Sequence, residues 1–91
     1  MTGEEIWKKA NDNLFFIGAM FTWMQDKQKN PFVAIGSVGL KEMFPCFIGV
    51  DQKAGALIFQ SEDEGIVGMH MERTDGKTIR LSMETGLTLE N

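Results

Sequence analysis

Apolar residues recur along the first third of the chain at Ile6, Ala10, Leu14, Ile17, Phe21 and Met24. Spacings of three and four mark one face of a helix. Thr2 and Glu5 stand three residues apart just before this stripe, the pattern of a capping box that starts a helix. Lys27 and Lys29 suit a helix C-terminus, and Asn30-Pro31 is an expected stop, because proline disfavours helical backbone in the residue before it. The pattern therefore predicts one helix from Gly3 to about Lys29. Within it, Leu14–Met24 reads LFFIGAMFTWM and is apolar nearly all the way round. A surface helix needs a single apolar stripe, so the residues on its other faces need a second cover. Phe16, Met20 and Trp23 are the expected oligomer interface, with Trp7, Phe15 and Ala19 also off the main stripe. Gly18 costs about 1 kcal/mol against alanine in a helix and points to a close approach by a strand or another helix.

Phe32–Phe44 carries mixed signals. Phe32–Ile35 reads as a short strand, Gly36-Ser37-Val38-Gly39 as a turn, and Val38–Phe44 as a short helical turn before Pro45. From Cys46 onward the pattern is β. Cys46–Val50 and Ala56–Gln60 are short apolar runs, expected as central strands buried on both faces. Ile66–Arg73 and Lys77–Glu84 alternate, and Leu87–Glu90 is an expected edge strand.

The hairpin at Asp75-Gly76 can be resolved by register. A two-residue turn pairs Met71 with Arg80 and Glu72 with Ile79, mixing apolar and charged side chains on one face. A three-residue loop with Gly76 left-handed pairs Arg73 with Lys77, Met71 with Ile79, Met69 with Leu81 and Val67 with Met83, which collects the apolar residues on one face. The three-residue loop is the expectation. It leaves His70 opposite Arg80 and Glu72 opposite Thr78 on the polar face.

These elements predict an α+β fold: one long N-terminal helix packed on an antiparallel β-meander of four to five strands, forming a single domain over 1–91. Hydrophobic residues make up 43% of the chain, too many for a disordered segment. The net charge is −4, and all of it resides in residues 46–91, since positive and negative residues balance over 1–45. An acidic field repels nucleic acid, so direct nucleic-acid binding is not expected. The apolar run of 11 residues falls short of the roughly 20 that cross a membrane. Cys46 is the only cysteine, so no disulfide forms within the chain, and a cytoplasmic protein is expected.

Candidate chemistry is sparse. Cys46 and His70 are the only cysteine and histidine, and no third group is placed to orient them as a nucleophile and base. One of each makes no zinc-like ligand set, so neither a metal nor a cofactor is expected. Gly36–Gly39 with Lys41 lacks the glycine directly before lysine that a phosphate-cradling loop needs. Two clusters remain. Glu62-Asp63-Glu64 is an acidic turn that would meet a basic partner surface. His70, Glu72 and Arg80 share a polar sheet face where an anionic ligand or nucleotide would find a guanidinium and an imidazole. The expected function is a small acidic, non-enzymatic protein-binding module, an adaptor or inhibitor of the kind that phages and mobile elements encode. It would work through Glu62, Asp63 and Glu64 and self-associate through its helix. The alternative is an anionic-ligand binder at His70, Glu72 and Arg80, with its pocket at a subunit interface.

Overall fold

The computed structural model describes residues 1–27, 30–51, 53–75 and 78–88, and their side chains except those of 23–27, 30–35 and 73. The order is α1 (Gly3–Asp12), α2 (Leu14–Lys27), α3 (Asn30–Met43), β1 (Phe47–Asp51), β2 (Ala56–Ser61), β3 (Gly65–Arg73) and β4 (Ile79–Thr85). The four strands form an antiparallel meander in the order β1-β2-β3-β4. The α+β class stands, but the single long helix does not.

The expected helix is divided at Asn13, which leaves helical geometry at φ −115° and ψ 27°. Its side-chain amide donates to the carbonyl of Lys9 at 2.9 Å, and that of Asn11 donates to Trp7 at 2.9 Å. Asparagine competes with the backbone for such bonds, which is why it tends to interrupt helices. Ile17 N still donates to Asn13 O at 3.0 Å, so α2 starts at once. The break preserves the apolar stripe: Ile6, Ala10, Ile17 and Phe21 are all buried in one core. At the start of α1 the capping box is present, with Thr2 Oγ1 accepting from Glu5 N and Glu5 Oε1 accepting from Thr2 N.

Asn30-Pro31 opens a helix instead of closing one. Proline is well placed in a first turn, where an amide hydrogen has no helical partner. The strand and turn expected between Phe32 and Gly39 are both replaced by α3, which carries Gly36 and Gly39 inside it. The reason is a neighbouring helix. The Met20 methyl lies where a Cβ on Gly36 would stand, and the ring of Phe16 comes within 3.8 Å of the corresponding position on Gly39. Glycines three apart share a helix face, and here they admit the side chains of α2. Gly36, Leu40 and Phe44 form the buried stripe of this segment.

β2 matches the expectation of a strand buried on both faces, with Ala56, Leu57, Ile58 and Phe59 all buried. β1 does not: it is an edge strand, irregular at Ile48, which stands 41% exposed where the register slips between Phe47 and Gly49. Leu87 and Thr88 belong to no strand, and 89–90 lie outside the described residues. Leu87 instead crosses the outer face of the sheet, its Cδ1 2.7 Å from where a Cβ on Gly68 would be.

The β3–β4 pairing joins Arg73 to Ile79, Met71 to Leu81, Met69 to Met83 and Val67 to Thr85. The expected register was two residues tighter. The five residues 74–78 connect the strands, and Thr74 N donates to Thr78 O at 3.0 Å. Asp75 closes this turn by accepting from Thr78 N at 2.7 Å. Gly76 and Lys77, on which the expected glycine bulge rests, lie outside the described residues. A slip of two keeps every side chain on its face. Val67, Met69 and Leu81 therefore still face the helices, with Phe47, Leu57 and Phe59 beside them in the core. Phe59 centres that core, meeting Phe44 and Phe47 edge-on at centroid distances of 5.0 and 5.6 Å.

Candidate functional site

The second face of α2 is covered largely from within the chain. Ile17 and Phe21 point to the core, and Gly18 meets Met71 of β3 and Ile79 of β4, a Cβ there standing 3.2 Å from the Met71 methyl. Met20 and Phe16 turn toward α3. Of the three expected interface residues, Met20 is half-buried, Phe16 keeps 37% of its surface exposed, and the Trp23 side chain lies outside the described residues. What remains open is next to them. Phe15 is 89% exposed and Val38 of α3 is 60% exposed, with Ala19 also at the surface. Beside Val38 runs a shallow apolar depression of about 360 Å³, lined by Ser37, Val38, Lys41 and Glu42. Phe15, Phe16, Val38 and Ile48 are the large apolar side chains that stand exposed among the described residues.

The acidic turn joins β2 to β3 and has an internal task. Asp63 Oδ1 accepts from Gly3 N at 2.7 Å at the start of α1. Ser61 Oγ donates to the same carboxylate and accepts from the amides of Asp63 and Glu64 at 3.3 and 3.1 Å. The Ser61 hydroxyl and the Gly3 amide together hold the Asp63 carboxyl below the ordinary aspartate range. Glu62 Oε1 lies 3.1 Å from the Met1 amine, while Glu62 N donates to Met1 O at 3.0 Å. Glu64 lies against Gly3. The three acids thus sit at the surface as a clasp on the N-terminal segment. Gly65, at φ +75°, completes the turn in a conformation that favours glycine.

The polar ladder forms, with altered partners. His70 lies opposite Ser82, and Arg80 lies opposite Glu72, not opposite His70. Arg80 Nη2 is 2.7 Å from Glu72 Oε2, and His70 Nε2 is 2.9 Å from Glu84 Oε2. Both side chains expected to hold an anion therefore face a carboxylate of their own sheet. Glu84 is the member that the sequence register did not bring to this group. A cavity of about 350 Å³ borders His70 and Glu72, together with Phe21, Gly55 and Ser82.

Cys46 precedes β1, and its carbonyl accepts from Gln60 N at 2.8 Å. His70 pairs with Ala56, four residues away along β2, which separates the two groups by at least roughly 13 Å. They cannot act as a thiolate–imidazole pair. The Cys46 Sγ lies 3.7 Å from the Met1 sulfur, beside a groove of about 720 Å³ that also includes Lys41, Gln60 and Glu62. Burial pushes its thiol above the usual cysteine range, which disfavours the reactive thiolate. Among the described residues, no three His, Cys, Asp or Glu side chains are grouped to hold a metal ion. No helix among them is long and apolar enough to cross a membrane.

No family model, curated protein or solved structure matches this chain. The candidate site is therefore defined by its own geometry: the exposed apolar side chains of α2 and α3. Sequence reasoning placed Phe15 off the main stripe but did not select it, and it placed Val38 where the Gly36–Gly39 turn passes into a short helical turn. Counting Gly36 with Leu40 and Phe44 as one apolar stripe is the signal that would have set Val38 on the outer face of a helix.

Proposed function

We propose that this protein is a small, non-enzymatic protein-binding module, an adaptor or inhibitor that acts by covering a partner's surface with the outer face of α2 and α3. The observation that carries the proposal is the exposure of Phe15 at 89%, a large apolar side chain that the fold leaves uncovered. Fully burying one such side chain is worth about 1.5–3 kcal/mol. Aromatic residues, phenylalanine among them, are enriched at protein interfaces. The acidic β2–β3 corner adds a second, charged surface, with Glu62 and Glu64 exposed and Asp63 engaged in anchoring. The anionic-ligand alternative is less supported, because Arg80 and His70 would each have to leave a carboxylate to hold an anion.

Site-specific photo-crosslinking in cells tests the proposal. A photoreactive phenylalanine at position 15 or 38 is expected to form a protein adduct. The same group at Glu72, on the opposite side of the sheet, is expected to give none. Absence of any protein adduct from both helical positions would overturn the proposal.

A further inference from the structure

We infer that the free edge of β4 pairs with β4 of a second copy of this chain, antiparallel about a two-fold axis at Ser82, to make one continuous sheet. This surface is separate from the helical side chains discussed above. The two edges of the sheet differ. β1 is irregular at Ile48, a feature that hinders the addition of another strand. β4 has no such defence: Ile79–Thr85 holds neither proline nor glycine and pairs with β3 without a shift in register. Among the described residues no strand lies beyond it. After Gly86 the chain turns over the sheet, where Leu87 meets Gly68, and so does not run along this edge. Gly86 N donates to Ile66 O at 3.1 Å, and Thr74 N donates to Thr78 O at 3.0 Å. Bonded pairs alternate along an antiparallel ladder, so the even-numbered residues of β4 turn their amides and carbonyls to β3. Ile79, Leu81, Met83 and Thr85 turn theirs to the free edge.

An axis at Ser82 sets Ile79 opposite Thr85 of the second copy and Leu81 opposite Met83. These are the residues with edge-facing groups, so their pairs exchange about eight hydrogen bonds. Main-chain bonds of this kind supply the affinity in strand addition. Charge selects the register. Arg80 comes opposite Glu84 of the second copy, and Glu84 opposite Arg80, both as non-hydrogen-bonded pairs, in which side chains approach most closely. These side chains are 64% and 55% exposed, and a guanidinium that already holds Glu72 has donors for a second carboxylate. An axis at 80 or 84 would oppose like charges, and one at 81 or 83 would part Arg80 from Glu84. On the inner face Leu81 meets Met83, which carries the apolar face of β4 across the seam. The helices leave room. α2 lies over β3 and β4, where Gly18 meets Met71 and Ile79, so two copies of α2 come roughly 10 Å apart, a normal packing distance.

Sedimentation equilibrium of the full chain, from about 1 to about 500 µM, tests the inference. The expected mass at the upper end is twice the 10.2 kDa of one chain. Arg80→Glu and Glu84→Arg each set like charges opposite one another at both ends of the seam. Either variant alone should associate about 10-fold or more weakly than the parent. An equimolar mixture of the two restores opposite charges at both pairs and should recover the dimer, which misfolded variants could not do. Ser82→Cys in a Cys46→Ser background should form a disulfide-linked dimer on mild oxidation, because the two Cα atoms stand about 4.5 Å apart. A parent that remains a single chain throughout the range overturns the inference. So does a dimer that neither charge variant weakens, a mixture that fails to associate, or a Ser82→Cys variant that does not cross-link.

Discussion

Asp63 shows how a residue read as a surface charge can serve the fold. Its carboxylate links the β2–β3 turn to the first turn of α1 through Gly3 N and Ser61 Oγ, a favourable place for negative charge. Because its folded pKa is depressed, its contribution to stability is complete above the ordinary aspartate value of 3.8 and is lost as pH falls through the lower folded value. Asp63→Asn should therefore lower the melting temperature at pH 7. It should also flatten the loss of stability on acidification below about pH 4; an unchanged acid transition would contradict this role. Cys46 gives the opposite case, a residue type that invites chemistry placed where it is suppressed. Its alkylation at pH 7 should be slower than that of a free thiol, with the rate rising as the solution is made alkaline. Neither environment was legible from the sequence, since Gly3 and Met1 lie 60 and 45 residues away from their partners.

At the scale of elements, local pattern and tertiary contact disagreed most at α3. Asn30-Pro31 and two glycines within four residues are strong local punctuation, and taken locally they signal a stop and a turn. The contact with α2 reverses their meaning, because the absence of two Cβ atoms admits Met20 and Phe16. The assignment predicts different outcomes at the two positions. Gly39→Ala has room, the nearest atom being the Phe16 ring at 3.8 Å, and should stabilise the protein by up to about 1 kcal/mol through helix propensity. Gly36→Leu would drive a side chain into Met20 and should destabilise it by about 1–3 kcal/mol. Urea unfolding measures both; destabilisation by Gly39→Ala would argue against a helix there. Alternation along Ile66–Arg73 and Lys77–Glu84 fixed which residues share a face, but not the pairing. A two-residue slip preserves the faces, and the choice fell to Asp75 closing a longer turn and Glu72 meeting Arg80.

For the whole molecule, the distinction between core and open face is the quantity to measure. Phe44 is fully buried against Phe59, and Phe44→Ala should cost about 3–5 kcal/mol. Phe15→Ala, in solution dilute enough to be monomeric, should change stability by less than about 0.5 kcal/mol. Thermal or urea unfolding of the pair checks whether Phe15 belongs to the fold or to a partner; equal losses would place it in the core. The sequence by itself determined the α+β class, the capping box at Thr2 and Glu5, the buried stripe from Ile6 to Phe21, the buried β2 strand and the apolar face of β3 and β4. Each of these is a periodicity or spacing carried by residues close together in the chain. Only the tertiary structure decided that α3 covers the second face of α2, that the acidic turn clasps the N-terminal segment, and that Phe15 and Val38 are left open. Those outcomes depend on which distant surfaces meet, and neighbouring residues in the chain do not encode that choice.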